Sequence, residues 1–157
     1  GHLSSIGAVW PVPGLKKPNA ILHNEATERW LYPNGFYCVV RRFSAKEERR
    51  RVVASVIDPA AFENHALLGF ENHLNLFHEN RRGLPEALAR GLSVFLNSTA
   101  VDEFFRRFNG HTQVNATDLR LMKYPSREIL IELGEWAARQ GTLTQDRIDA
   151  RMRSLMA

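Results

Sequence analysis

The chain is poor in the residues that most often betray a chemistry. It has one cysteine, Cys38, in 157 residues, which excludes an internal disulfide framework and a cysteine-ligated zinc site. No apolar run approaches the roughly 18 residues that a membrane span requires, and no secretory leader is recognisable, so a cytoplasmic protein is expected. A glycine-rich turn between a strand and a helix, the usual cradle for a nucleotide, is missing, as is any Ser/His/Asp set in a recognisable context. Array repeats are missing too. Phe-Glu-Asn-His occurs at 62–65 and again at 70–73, and two copies do not make a solenoid. No catalytic apparatus is visible.

What is present describes one globular body. Hydrophobic residues make up 44% and charged residues 24%, an ordinary balance for a cored domain, and the length suits a single domain over 1–157. The formal charge of +4 is mild, so its distribution matters more than its sum. Arg41, Arg42, Lys46, Arg49, Arg50 and Arg51 crowd one segment against only Glu47 and Glu48. Arg81-Arg82 and Arg106-Arg107 add two further basic points. Any one of these could be a solvated turn whose Glu–Arg pairs matter little. Three in one small domain favour a polyanion partner.

The order of patterns predicts an α+β fold, with a small antiparallel sheet in the N-terminal half followed by several helices. Residues 1–35 read as an extended, proline-punctuated entry, closed by a turn at Tyr32-Pro33-Asn34-Gly35. Residues 36–80 are strand-rich. Phe36–Phe43 and Arg51–Ile57 form two antiparallel strands joined by an exposed charged tip, and a third short strand lies near His73–Phe77. Residues 83–157 are helical. Pro85 suits a first helical turn, and Thr99 opens a second helix in which Val101, Phe104, Phe105 and Phe108 make a buried stripe. Ser126 and Thr144 cap the last two helices.

Between the second helix and Pro125 lies Gly110-His111-Thr112-Gln113-Val114-Asn115-Ala116-Thr117-Asp118. Its hydroxyl, amide and imidazole side chains both donate and accept hydrogen bonds, as reading base edges requires. They could equally brace an irregular turn by bonding its backbone. His65, His73 and His78 alternate with Glu63, Glu71 and Glu79, but spacings of eight and five fit no compact ligand set. Cys38 sits in a buried strand pattern and reads as a small apolar side chain.

Several stretches together carry a resemblance. They are Pro18-Asn19-Ala20, the run FSAKEERRR at 43–51, Asn72-His73-Leu74-Asn75, Leu96-Asn97-Ser98-Thr99 and the run GHTQVNATDL at 110–119. From about Trp10 to Gly134 the chain resembles the C-terminal, target-recognition region of adenine-specific DNA methyltransferases of type II restriction–modification systems. In that family an N-terminal catalytic domain binds S-adenosylmethionine and methylates an adenine flipped from the duplex. The family's Asn-Pro-Pro-aromatic tetrapeptide has no counterpart here, so no catalytic residue carries over and no cofactor or metal site is expected in this chain.

The resemblance implies a fragment of a longer methyltransferase whose partners are double-stranded DNA, its own catalytic domain and a cognate endonuclease. Arg41, Arg42, Lys46, Arg49, Arg50, Arg51, Arg81 and Arg82 would then hold phosphates, while His111, Thr112, Gln113 and Asn115 would approach base edges. Both groups must face one side of the body for this to work. The competing reading is a protein-interaction module of a restriction–modification complex, with Ile148, Met152 and Leu155 of the last helix as its contact face.

Overall fold

A computed structural model describes residues 2–4, 7–108, 110 and 112–156. The α+β architecture is as expected, with short antiparallel sheets first and five helices after them. Strands β1 (His2–Ser4) and β2 (Gly7–Val9) pair with each other. Strands β3 (Leu31–Pro33) and β6 (Leu67–Gly69) form a second two-stranded sheet. The main sheet has the order β5-β4-β7, built from β4 (Tyr37–Arg41), β5 (Ala54–Ile57) and β7 (Leu74–Phe77). Helices α1 (Glu86–Leu96), α2 (Thr99–Phe108), α3 (Ala116–Leu121), α4 (Arg127–Ala138) and α5 (Gln145–Met156) follow.

Strand β4 is the spine. Flanked on both edges, it presents successive side chains to opposite faces, and Tyr37, Cys38, Val39 and Val40 are all fully buried. Cys38 and Val40 join the helical core with Leu92, Phe95, Phe105 and Leu133. Tyr37 and Val39 join a smaller core with Ile57 and Leu68 on the other side. Burial raises the Cys38 thiol well above its ordinary range, which keeps it an unreactive apolar side chain.

Helices α1 and α4 cross at two glycines. A Cβ added to Gly91 would land on the Leu130 carbonyl oxygen, and one added to Gly134 on the carbonyl oxygen of Ala87. Only glycine permits so close a backbone approach. Ser126 Oγ caps α4 by accepting from Ile129 N–H at 3.3 Å, and Thr144 Oγ1 caps α5 by accepting from Arg147 N–H at 3.4 Å.

Three expectations need correction. Leu31–Pro33, expected to enter a turn, forms a strand instead. The stretch expected to be a loop between helices contains α3. In α2, Val101 and Phe105 are buried, but Phe104 and Phe108 are 47% and 56% exposed. Their rings stack on each other outside the core, with centroids 5.8 Å apart. Helix α2 thus buries a face narrower than its apolar stripe.

Candidate nucleic-acid interface

The basic segment leaves β4 at Arg41 and returns to β5 at Ala54. It does not wave freely, because α2 grips it. Arg106 donates to the carbonyls of Lys46 (3.0 Å), Glu48 (2.7 Å) and Arg49 (3.0 Å). Asp102 orients Arg106 by accepting from its Nε at 2.8 Å, and also accepts from the backbone N–H groups of Arg51 (2.6 Å) and Val52 (3.2 Å). Burial alone would raise the Asp102 pKa. The Arg106 bond and the two backbone donors outweigh it and hold the carboxyl below its usual range. Asp102 therefore anchors the tip from within α2. The start of α2 is held by Ser98 Oγ and by Asp149 of α5, which accepts from Thr99 N–H (2.8 Å) and Thr99 Oγ1 (2.6 Å).

This internal wiring divides the eight expected phosphate ligands. Arg51 is 1% exposed, so it cannot meet a phosphate from solvent and leaves the set. Arg50 spends its guanidinium on Asn97 O (2.7 Å), Ser98 O (2.9 Å) and Gln145 (2.6 Å), tying the tip to α1 and α5. Burial lowers its pKa, and Asp102 and Asp149 work against that shift. Arg41 pairs with Glu48. Arg81, in the left-handed region at φ 61°, lies 4.5 Å over the Tyr32 ring and donates to Arg29 O at 2.7 Å. It fastens the entry segment to the sheet. Lys46, Arg49 and Arg82 remain exposed, and Arg42 is half-buried. Arg82 follows β7 at the Tyr37 end of β4, whereas the tip follows the Arg41 end. Four residues of extended strand separate those ends by about 14 Å.

The polar loop arrives at the tip. Beyond Leu74, where β7 begins, residues 112–114 take its place beside the continuation of β4. Arg42 N–H donates to His73 O (2.9 Å), Val114 N–H donates to Arg42 O (2.7 Å), and Ser44 N–H donates to Thr112 O (3.1 Å). Phe43 and Gln113 face each other across this bridge. The cationic segment and the hydrogen-bonding loop thus lie side by side. Thr112 is exposed, Gln113 and Asn115 are half-buried, and His111 lies outside the described residues.

Their junction forms an open cleft of about 370 Å³ lined by Arg42, Asn75, Asn115, Ala116, Thr117 and Asp118. Asn75 donates to Val114 O at 2.8 Å, locking the loop to β7. Of the four expected base readers only Asn115 lines the cleft. Asn75, Thr117 and Asp118 lie outside the expected readers, although Thr117 and Asp118 belong to the polar run at 110–118 and Asn75 to the stretch at 72–75 that shares in the resemblance.

The histidines have structural surroundings. His65 packs edge-on to Trp10, His73 lies against Phe43 and pairs with Glu71 at 3.3 Å, and His78 accepts from Arg81 N–H. Among the described residues no three His, Cys, Asp or Glu side chains converge as a metal ion would need. No helix among them is long and apolar enough to cross a membrane. The face of α5 expected to receive a partner is taken up internally, since Ile148 and Met152 are buried in the helical core and Leu155 packs against it.

The chain is similar to a portion of two type II methyltransferases. It is 55% identical over 143 residues to M.BsuBI of Bacillus subtilis, an alignment covering 90% of this chain and 28% of that protein. It is 49% identical over 132 residues to M.PstI of Providencia stuartii, covering 84% of this chain and 26% of that protein. The chain therefore spans just over a quarter of the length of these relatives. No family model and no solved structure matches it.

Proposed function

We propose that this chain is the DNA target-recognition part of an adenine-specific type II methyltransferase, holding duplex DNA while a catalytic part elsewhere in the longer protein transfers the methyl group. Similarity to segments of two type II methyltransferases supports the enzyme class. The observation that carries the recognition role is the strand-to-strand pairing of Arg42–Ser44 with Thr112–Val114. It joins the segment that carries Lys46 and Arg49 to the loop that carries Thr112, Gln113 and Asn115, and recognition of a duplex needs cations for its backbone near amides and hydroxyls for its bases.

Lys46, Arg49 and Arg82 hold phosphates and fix register. Thr112, Gln113 and Asn115 approach base edges, where an amide is the natural complement of adenine N6 and N7. His111 belongs to the same loop. S-adenosylmethionine, the methyl donor, belongs to the catalytic part, which bends or opens the duplex to extract its adenine. A cognate endonuclease reads the same site separately.

Gln113→Ala in the full-length enzyme tests this reading. Methylation of the recognised site is expected to fall more than affinity for duplexes of random sequence. Equal loss on both would reject base reading.

One observation favours a second reading, a protein-interaction module. The stacked Phe104–Phe108 pair is an apolar surface of the kind that a protein partner covers. Phe108→Ser separates the two readings, because it should weaken assembly with a partner subunit and leave DNA affinity unchanged.

A further inference from the structure

A carboxylate is out of place on a surface that binds phosphates, where it repels the ligand, yet Asp118 lines the same cleft as Arg42. The two belong to different elements. Arg42 continues β4 and Asp118 sits in the first turn of α3. Resting on the recognition role proposed above, we infer that this cleft reads one G·C base pair, with Arg42 donating to guanine O6 and N7 and Asp118 accepting from the cytosine N4 amino group.

The chemistry selects that pair. A carboxylate only accepts, and in the major groove cytosine offers only a donor, whereas adenine sets the N7 acceptor beside its amino group. A guanidinium only donates, and guanine offers two acceptors side by side. An arginine and an aspartate flanking one cleft are therefore the complement of a G·C pair, and not of an A·T pair. A carboxylate has about four acceptor positions, so contacts within the chain leave it able to accept from a base.

The positions are also held. Arg42 is fixed through its main chain on His73 and Val114, and its guanidinium lies 5.8 Å over the Phe43 ring and 3.4 Å from Asn72 O. Asn75 clamps the loop that leads into α3. Held side chains lose little freedom on binding, which favours discrimination. One positive and one negative charge also release few counterions together. The cleft therefore acts on sequence choice at one base pair, beside the loop residues, and the exposed lysine and arginines govern salt dependence.

The test is selection from a pool of randomised duplexes, with the full chain as wild type, Asp118→Asn and Arg42→Gln, each checked for folding by circular dichroism. The wild type is expected to fix a G·C pair that both variants relax, at the same position, by about 5- to 150-fold. Affinity of Asp118→Asn for unselected duplex should stay level or rise, because a repelling charge is gone. Pools from the variants that match the wild type would overturn the inference. So would relaxation at two different positions. If Asp118→Asn fails to fold, Arg42→Gln alone decides, by keeping or losing the guanine. A wild-type pool with no fixed position would sink the recognition role itself, which is a separate failure.

Discussion

Replacing Asp102 by alanine should loosen the basic tip from the inside. The Asp102 carboxylate accepts from Arg51 N–H, Val52 N–H and Arg106 Nε, and both Arg51 and Val52 are buried. Alanine strands two buried backbone donors at about 1–3 kcal/mol each and frees Arg106 from its orienting partner. The expected loss is roughly 3–5 kcal/mol, a large share of the ~5–15 kcal/mol that holds a domain together. Asp102→Asn keeps one carbonyl oxygen for the two N–H groups and loses only the charged bond to Arg106, so its loss should be about 1–2 kcal/mol. Urea unfolding followed by far-ultraviolet circular dichroism measures both. An alanine cost under about 0.5 kcal/mol would mean that no buried donor had been stranded and would refute the role given to Asp102. Equal costs for asparagine and alanine would refute it too, since charge and not acceptor geometry would then hold the tip.

Three further outcomes follow from particular contacts. Helix propensity alone would make Gly91→Ala and Gly134→Ala stabilising by about 1 kcal/mol, but each new methyl group would meet a carbonyl of the facing helix. Packing should win, with a loss of about 3 kcal/mol and a drop of roughly 6–12 °C in Tm, and any rise in Tm contradicts it. Phe105→Ala should cost about 3–5 kcal/mol because Phe105 is fully buried. Phe108→Ala should cost less than about 1.5 kcal/mol, the worth of its stack on Phe104; comparable losses would mean that both rings are in the core. Burial tends to raise the pKa of both Asp102 and Asp149, but their hydrogen bonds prevail and hold it below the carboxylate range. Folded pKa values lower than unfolded ones mean that this stabilisation is complete above the unfolded value of about 3.9 and drains away as pH falls through the folded values. Urea midpoints measured from pH 6 to pH 2 should fall less steeply in Asp102→Asn than in the wild type.

The elements that could be read from sequence were those long enough to show a period. Strands β4 and β5 lie within the mostly apolar stretches at 36–43 and 51–57, and α1, α2, α4 and α5 each span at least ten residues. Strands β3 and β6 have three residues each and lie more than thirty residues apart in sequence, so neither alternation nor turn spacing could announce them. Helix α3, six residues long, begins at Asn115 without a side-chain cap and hides inside a polar run. The stripe of α2 was visible, but how much of it the fold would cover depends on the helices around it. The pairing of the basic segment with the polar loop joins positions about seventy residues apart, and nothing local encodes it.

The same limit explains why the eight expected phosphate ligands do not share one fate. Sequence records that a side chain is an arginine and not which oxygens it meets, and carbonyl oxygens within the chain compete with phosphates for the same guanidinium. Arg49 and Arg50 are neighbours of identical chemistry, yet Arg49 is exposed while Arg50 binds Asn97, Ser98 and Gln145. Their alanine variants should therefore diverge. Arg49→Ala should lower the slope of log affinity against log salt by about 0.9, the contribution of one phosphate contact, with stability unchanged within about 0.5 kcal/mol. Arg50→Ala should leave that slope alone and lose about 2–4 kcal/mol, because it deprives two carbonyls and Gln145 of a charged donor in a half-buried site. Salt titrations of DNA binding and urea unfolding on the two proteins settle the matter. If both variants lose slope equally, the tie between the tip, α1 and α5 opens on binding, and the division of cations into inward and outward sets is wrong.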